Sequence, residues 1–527
     1  MKLKKLAVGN QTFENLQPQG FLYVDKTKHL YEMITLGGGR FFLSRPRRFG
    51  KSLTCSTLSA IFEGRKELFE DLWIGSSDYT WEKHPVIHLD FSELTYDTPQ
   101  DLRDSLHEKL DSIAHKYEIN NIESKFLKTK LANFIAKLNE KHGSVVVLVD
   151  EYDKPITEHI DNFGLADKMR TILRGLYGAF KGTTLDRHLH FLFITGVSKF
   201  SKVSLFSEVN NLKDITLDSR FATIVGYTQQ EVEIYLADHI KFLADKEQMN
   251  YDQMLKKLQI WYNGFCFGKS NAKVYNPVSL HNCLDSQDFS NYWFATGTPN
   301  FLIKIFQKVH SSVKQFVAQD RWEIVESDME AFSPEVYYKK IILLLLQTGY
   351  LTIKKYDPLA RIYELDYANY EVRLSMTEQI MEYVAQLPRV TLSKFIVRFI
   401  QALQADDINA YCATFKEYLK LIPHNIIVNR EKFFQATFFG TALLVDANTI
   451  LSEVATDRGF VDIVVHGTHK TFVMEFKKDT SPNAALQQIL EKKYYEKYVL
   501  SGKHVTLVGI NFDVKDSVEV AWIIKEL

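Results

Sequence analysis

The chain has 527 residues, which at roughly 150 residues per domain predicts about three domains and argues against a single-core fold. With 46% apolar and 24% charged residues, 24 Gly and 12 Pro, its composition is that of a folded globular protein, not a disordered or fibrous one. Lys and Arg number 64 against 65 Asp and Glu, a formal net charge of −1, so the molecule as a whole is no polycation for coating nucleic acid or an anionic membrane.

Residues 1–36 read as a lead-in with a short helix. The opening MKLKKLAVGNQTF holds only three consecutive apolar residues and lacks the apolar stretch of a signal peptide. The longest aliphatic run, residues 341–346, is far short of the ~20 residues needed to span a bilayer. Cys55, Cys266, Cys283 and Cys412 lie far apart with no C-x-x-C pair, which predicts free thiols in a reducing compartment and no structural metal. The expectation is a cytoplasmic protein with no membrane partner.

Apolar runs at 40–44, 84–91, 144–149 and 190–195 predict short buried strands. A helix from Lys51 and helical spacing over 102–115 and 122–141 alternate with them. That alternation implies βαβ units and a mostly parallel, doubly wound sheet over about 35–215. Beyond residue 228 helices dominate, with 229–246 and 251–260 as candidates. An apolar helix at 336–347, a run at 350–355, a turn at Asp357-Pro358 and a run at 361–365 read as a helix packed on a β-hairpin, a winged-helix-like module. Residues 320–388 hold twelve acids and seven bases, which argues against that module gripping a DNA backbone. Residues 390–440 read as helical, and strands return over 450–527.

Arg45-Pro46-Arg47-Arg48-Phe49-Gly50-Lys51-Ser52 matches G-x-x-x-x-G-K-[ST] except at its first position, where Arg45 replaces glycine. Gly50 lets the backbone approach phosphates, Lys51 reaches the β- and γ-phosphates, and Ser52 ligates Mg²⁺ at a helix amino terminus. Arg45, Arg47 and Arg48 are candidates for extra phosphate contacts. The bland alternative is a basic solvated turn, but residues 38–62 carry five bases and no acid, and the motif follows a strand and opens a helix. About a hundred residues later the strand at 145–149 ends in Asp150-Glu151, with one carboxylate to hold Mg²⁺ and a second to polarise the attacking water. Thr195, ending another strand, is a candidate sensor of the γ-phosphate. Arg170, Arg174 and Arg220 are candidate arginine fingers.

Near the carboxy terminus, residues 460–466 and 471–477 read as two strands joined by a turn. Alternation then points Glu475 and Lys477 to one face and Met474 and Phe476 into the core. Asp462 on the partner strand can come beside Glu475, giving two carboxylates for Mg²⁺, with Lys477 to stabilise charge on a phosphate or orient a water. The rival reading is a solvated charged face. A helix over 484–499 and a last strand over 505–511 complete a small α/β layer.

YVDKT (23–27), SRPRRFGKSL (44–53), VVLVDEYDKP (146–155), ITGVSKFSKVSLFSEVNNLKDIT (194–216), YNGFCFG (262–268) and VYNP (274–277), together with the carboxy-terminal carboxylates, resemble the bacterial AAA-ATPase-like proteins with an appended PD-(D/E)XK nuclease-like domain. The resemblance covers nearly the whole chain, and RPRRFGKS is the form its phosphate loop takes. It implies that Glu453 is the helix-borne acid of the nuclease-like motif, and that Gln488 and Tyr494 accompany Asp462, Glu475 and Lys477. A second arginine common in relatives is replaced here by Phe460, leaving Arg458 nearby. The implied fold class is α/β, with a P-loop NTPase domain over 1–225, a helical and winged-helix-like region over 226–390, and a PD-(D/E)XK nuclease-like domain with a helical lead-in over 391–527. The leading functional expectation is an ATP- and Mg²⁺-using protein acting on nucleic acid, DNA ahead of RNA. The alternative is a nucleotide-gated signalling or assembly protein whose nuclease-like domain binds without cutting. A kinase is disfavoured because Asp150-Glu151 suits water activation, and a homo-oligomer is an open expectation.

Overall fold

The computed structural model describes residues 3–159, 162–181, 183–199, 212–295, 322–329, 341–376, 389–422, 450–456, 459–499, 504–514 and 518–527, with isolated positions between 431 and 441. The chain divides into two compact units, Met1–Gly297 with Glu323–Asn369 and Thr298–Trp322 with Tyr370–Leu527.

In the first unit, β1 (Arg40–Ser44), β2 (Val86–Asp90), β3 (Val145–Asp150), β4 (Leu189–Gly196) and β5 (Lys213–Asp214) form a parallel sheet in the order β2-β3-β4-β1-β5. Every residue of β3 is buried, which is why its sequence is a continuous apolar run and not an alternating one. Helices Lys51–Phe62, Pro99–Lys116, Leu127–His142 and Phe163–Tyr177 supply the crossovers. The second of these starts on a capping box in which Thr98 and Asp101 satisfy each other's backbone N–H groups, with Pro99 in the first turn. The chain leaves β1 toward β2 and leaves β4 toward β5, in opposite directions. The sheet therefore opens a crevice at the carboxyl ends of β1 and β4, where this topology places ligands.

The expected helix over 229–246 is two helices, Gln229–Tyr235 and Ala237–Lys246, broken at Leu236 (φ −112°, ψ 5°). Val232, Ile240, Met254, Leu258 and Leu280 form a core for this region. A short antiparallel pair, β6 (Phe265–Cys266) and β7 (Lys273–Val274), follows. The helix and hairpin expected next are present as Ile341–Thr348, β9 (Leu351–Asp357) and β10 (Ile362–Tyr367). A strand not anticipated, β8 (Trp322–Val325), extends the hairpin into a three-stranded sheet. The hairpin is tied to β6, because Cys266 N donates to Thr352 Oγ1 at 2.7 Å.

The second unit carries helices Arg389–Gln404 and Ile408–Lys420, and a sheet of β11 (Ile450–Thr456), β12 (Gly459–His466), β13 (Lys470–Lys478), β14 (His504–Val514) and β15 (Val518–Glu526) in sequential order. The last strand of the chain is β15, not the expected run over 505–511, which is the middle of β14. Only β13 and β14 run parallel, and the helix Pro482–Lys492 connects them. That helix is capped by Ser481, whose hydroxyl accepts from Ala484 N at 3.2 Å. It stops short of the expected residue 499: Lys493 turns left-handed (φ 52°) before a separate turn at Glu496–Val499. The helix lies so close to β14 that a Cβ on Gly509 would stand 2.2 Å from Pro482 O and 2.7 Å from Leu486 N. Met474, Phe476, Ile510 and Phe512 join Phe399 and Phe415 in one core, while Val473, Leu507 and Ile489 form the other.

Candidate functional site

The phosphate-type loop runs from the end of β1 to the helix Lys51–Phe62. Gly50 caps that helix in the left-handed region at φ 93°, a conformation that favours glycine. Arg48 is also left-handed (φ 68°), at a cost of about 1–2 kcal/mol for a residue with a Cβ. The loop is held from outside to offset that. Arg48 Nη1 donates to Tyr292 O (2.7 Å) and Trp293 O (2.8 Å), and Asn276 Nδ2 donates to Arg48 O (3.4 Å). The Phe49 ring is buried against Phe265 and Phe267, with centroids 4.7 and 5.1 Å away. Gly349 approaches so closely that a Cβ would stand 2.8 Å from Pro46 Cβ. The two motifs YNGFCFG and VYNP thus brace the loop from a distance of more than two hundred residues in sequence.

Lys51 is buried and donates from Nζ to Pro46 O at 3.0 Å. Burial pulls its ammonium below the ordinary lysine range, against the opposing pull of Glu151, Asp150 and Asp153. Asp150, 1% exposed, ends β3. Its Oδ1 accepts from Glu151 N at 2.9 Å, the nearby Ser52 side chain lowers its proton affinity, and its Oδ2 is buried with no hydrogen-bond partner. Burial pushes this carboxyl up to about 6. Glu151 is left-handed (φ 50°), and its Oε2 lies 3.4 Å from Lys154 Nζ. Asp153, also buried, accepts from Val197 N (3.1 Å), Ser198 N (2.7 Å) and the Ser198 hydroxyl. This fixes the chain leaving β4 against the end of β3. Gly196 allows that fit, because a Cβ there would stand 2.4 Å from Asp153 Oδ1 and 2.5 Å from the Tyr152 ring.

In the second unit, Glu475 is 2% exposed. Its Oε1 accepts from Lys477 Nζ at 3.3 Å and from Gln488 Nε2, and its Oε2 is buried without a hydrogen-bond partner. Gln488, from the helix Pro482–Lys492, is also near enough to the Tyr494 hydroxyl to lower its proton affinity, against the larger opposing effect of burial. Asp462 Oδ2 accepts from Phe476 N at 2.8 Å, which joins β12 to β13 where their ladder ends. Burial first, and the nearby Asp462 second, push Glu475 up to about 7, while Lys477 works against them. The structure therefore brings Asp462, Glu475, Lys477, Gln488 and Tyr494 together. Among the described residues no group of three or more His, Cys, Asp or Glu is gathered to hold a metal ion.

Comparison with known proteins matches residues 7–206 to the family model described as predicted AAA-ATPase, AAA-ATPase-like, and residues 429–522 to the PD-(D/E)XK nuclease superfamily. The uncharacterized protein in vnfD 5'region of Azotobacter chroococcum mcd 1 is 32% identical over 550 residues, covering all of both chains. The chain belongs to the AAA-ATPase-like family that carries a PD-(D/E)XK nuclease-superfamily domain at its carboxy terminus.

Several expected site residues of this AAA-ATPase-like chain have other employment. Arg45 does not face the loop. It is 1% exposed, with Nη1 donating to Ser44 O (2.9 Å) and Thr216 O (2.7 Å), Nη2 donating to Phe221 O (3.1 Å), and its guanidinium 4.5 Å from the Phe267 centroid. Burial pushes its pKa down to about 9, which leaves it charged at neutral pH. Thr195 is fully buried, and its hydroxyl donates to Leu43 O at 2.9 Å, tying β4 to β1. Glu453 stands on β11 and not on a helix, because 450–456 pairs antiparallel with β12. The pairs Ser452–Ile463 and Val454–Val461 put its backbone opposite Asp462. Arg458 and residues 200–211 of the long motif lie outside the described residues. Of the three candidate fingers, Arg170 pairs with Asp167 and Arg220 with Asp218, while Arg174 is exposed. In the YVDKT segment, Asp25 accepts from Thr27 N (2.8 Å) and Trp73 N (2.7 Å), and Lys26 bonds to Glu231 (2.7 Å), so these polar groups bind the lead-in to its neighbours. All four cysteines are free and buried. Among the described residues no helix is long and apolar enough to cross a membrane.

Proposed function

We propose that the first unit binds and hydrolyses ATP with Mg²⁺, and that the second cuts nucleic acid, DNA in the first instance, with Mg²⁺. One observation carries the reading. Each of the two carboxylates best placed to take a cation, Asp150 and Glu475, has one buried oxygen with no hydrogen-bond partner and a proton affinity raised by burial. An unpaired buried carboxylate is costly, and a cation arriving with its substrate offsets that cost. At the first site Ser52 and Asp150 hold the ion. Pro46, Phe49 and Gly50 shape the backbone cradle, Lys51 exchanges Pro46 O for a phosphate oxygen, and Glu151 orients the attacking water. At the second site Asp462 and Glu475 hold the ion, Lys477 and Gln488 fix Glu475 and any water beside it, and Glu453 contributes from the neighbouring strand. The ion itself would neutralise charge developing on the phosphate oxygens.

Phosphate release from ATP by the full chain tests the first half. Activity that requires Mg²⁺ and disappears in Lys51→Ala and Glu151→Gln supports it, and Mg²⁺-independent or unchanged release refutes it. The 2% exposure of Glu475 favours a second reading, in which the nuclease-like domain binds nucleic acid without cutting and the protein is a nucleotide-gated assembly factor. Binding of DNA by wild type with no product at any Mg²⁺ concentration selects that alternative.

A further inference from the structure

The loop contains three arginines, and the structure divides their labour. Arg45 is a buried strut on three carbonyls, and Arg48 is latched to Tyr292 O and Trp293 O. Arg47 is exposed, and its side chain makes no hydrogen bond or ion pair among the described residues. It is also beside the loop's lysine. The peptide joining Pro46 to Arg47 is the one whose carbonyl accepts from Lys51 Nζ at 3.0 Å. Arg47's charge lowers the proton affinity of Lys51, and it is felt by Tyr96 and Tyr350. Two cations brought together this way repel one another until an anion of two or more charges enters between them. The Tyr96 hydroxyl, which feels that charge, is anchored to Glu158 Oε2 at 2.9 Å.

We propose that Arg47 contacts the terminal phosphate of the bound nucleoside triphosphate, supplying from the loop itself the charge that an arginine finger supplies from elsewhere. This rests on the reading of the loop as an ATP site. A guanidinium reaching the γ-phosphate distinguishes ATP from ADP and takes up charge as the β,γ bond breaks and water adds to the departing phosphoryl group. The contact is made within one chain, so hydrolysis does not need a second copy for its arginine.

The test compares full-length wild type, Arg47→Ala, Arg47→Lys and Lys51→Ala by calorimetric titration with ATP and with ADP in Mg²⁺, and by phosphate release. Because Arg47 is exposed, equal melting temperatures verify the fold of its variants. Arg47→Ala should hold ADP within about twofold of wild type and lose roughly tenfold or more in ATP affinity, as one charge-assisted bond implies. Its kcat should fall roughly 10³-fold, the scale of a lost finger. Arg47→Lys should recover ATP affinity but not kcat, since an ammonium lacks the planar fork. An unchanged ATP-to-ADP preference in Arg47→Ala overturns the assignment even if wild type proves to bind without hydrolysing. Failure of wild type to bind either nucleotide instead overturns the ATP site on which the assignment rests.

Discussion

Replacing Arg45 by methionine removes a charge from the phosphate-type loop while keeping most of the side-chain volume. Ser44 O, Thr216 O and Phe221 O then lose donors at 2.9, 2.7 and 3.1 Å, and Phe267 loses the cation over its ring. Hydrogen bonds from a charged donor are worth about 1.5–3 kcal/mol each, so three amount to about 4.5–9 kcal/mol. Relief of the guanidinium's desolvation returns several kcal/mol of this, leaving a net loss of about 3 kcal/mol. Urea unfolding, followed at the transition that ATP shifts, should show that loss. At low temperature the folded variant should bind ATP within about threefold of wild type, because the guanidinium points away from the loop. A stability change below about 1 kcal/mol combined with a tenfold or greater loss of ATP affinity would refute the strut assignment and restore Arg45 as a phosphate ligand.

Gly509→Ala should destabilise the second unit by about 2–3 kcal/mol, read as a lowered melting temperature. Its Cβ would meet two backbone atoms, Pro482 O and Leu486 N, and neither can move without shifting the helix that carries Gln488. Burial holds the Glu475 carboxyl at about 7 in the folded protein against its ordinary 4.5, so between those values the folded state holds more protons than the unfolded chain. Stability without metal should therefore fall as pH rises through that window, by about 3 kcal/mol in all, and level off above pH 7. Glu475→Gln should flatten this pH dependence and, at pH 8, be more stable than metal-free wild type. A destabilised Glu475→Gln at pH 8 would contradict the burial argument.

The parallel sheet was legible because its strands are buried on both faces and read as uninterrupted apolar runs, as β3 does. The phosphate-type loop and the E-x-K strand were legible because their chemistry is confined to a few consecutive residues. Periodicity could not reveal β5, two residues long, or β8, which has little local signal apart from its pairing with β10. The roles of Arg45, Arg48 and Asn276 were hidden for another reason. The contacts that define those roles span 171 to 245 residues, and local spacing carries no record of them. A pattern such as YNGFCFG therefore reads as a motif long before it reads as the brace of a loop. Glu453 was placed on a helix by resemblance, and the order Ile450-Leu-Ser-Glu-Val-Ala-Thr456, with its apolar residues in adjacent pairs, carries no two-residue period that would have marked β11 as a strand.

Cleavage of supercoiled plasmid by the full chain, with Mg²⁺ and with or without ATP, tests the central claim most directly. Wild type should nick or linearise the plasmid, Glu475→Ala should leave it intact, and Lys51→Ala should lose whatever dependence on ATP the wild type shows. Intact plasmid with wild type under every condition, or cleavage that persists in Glu475→Ala, would contradict the account.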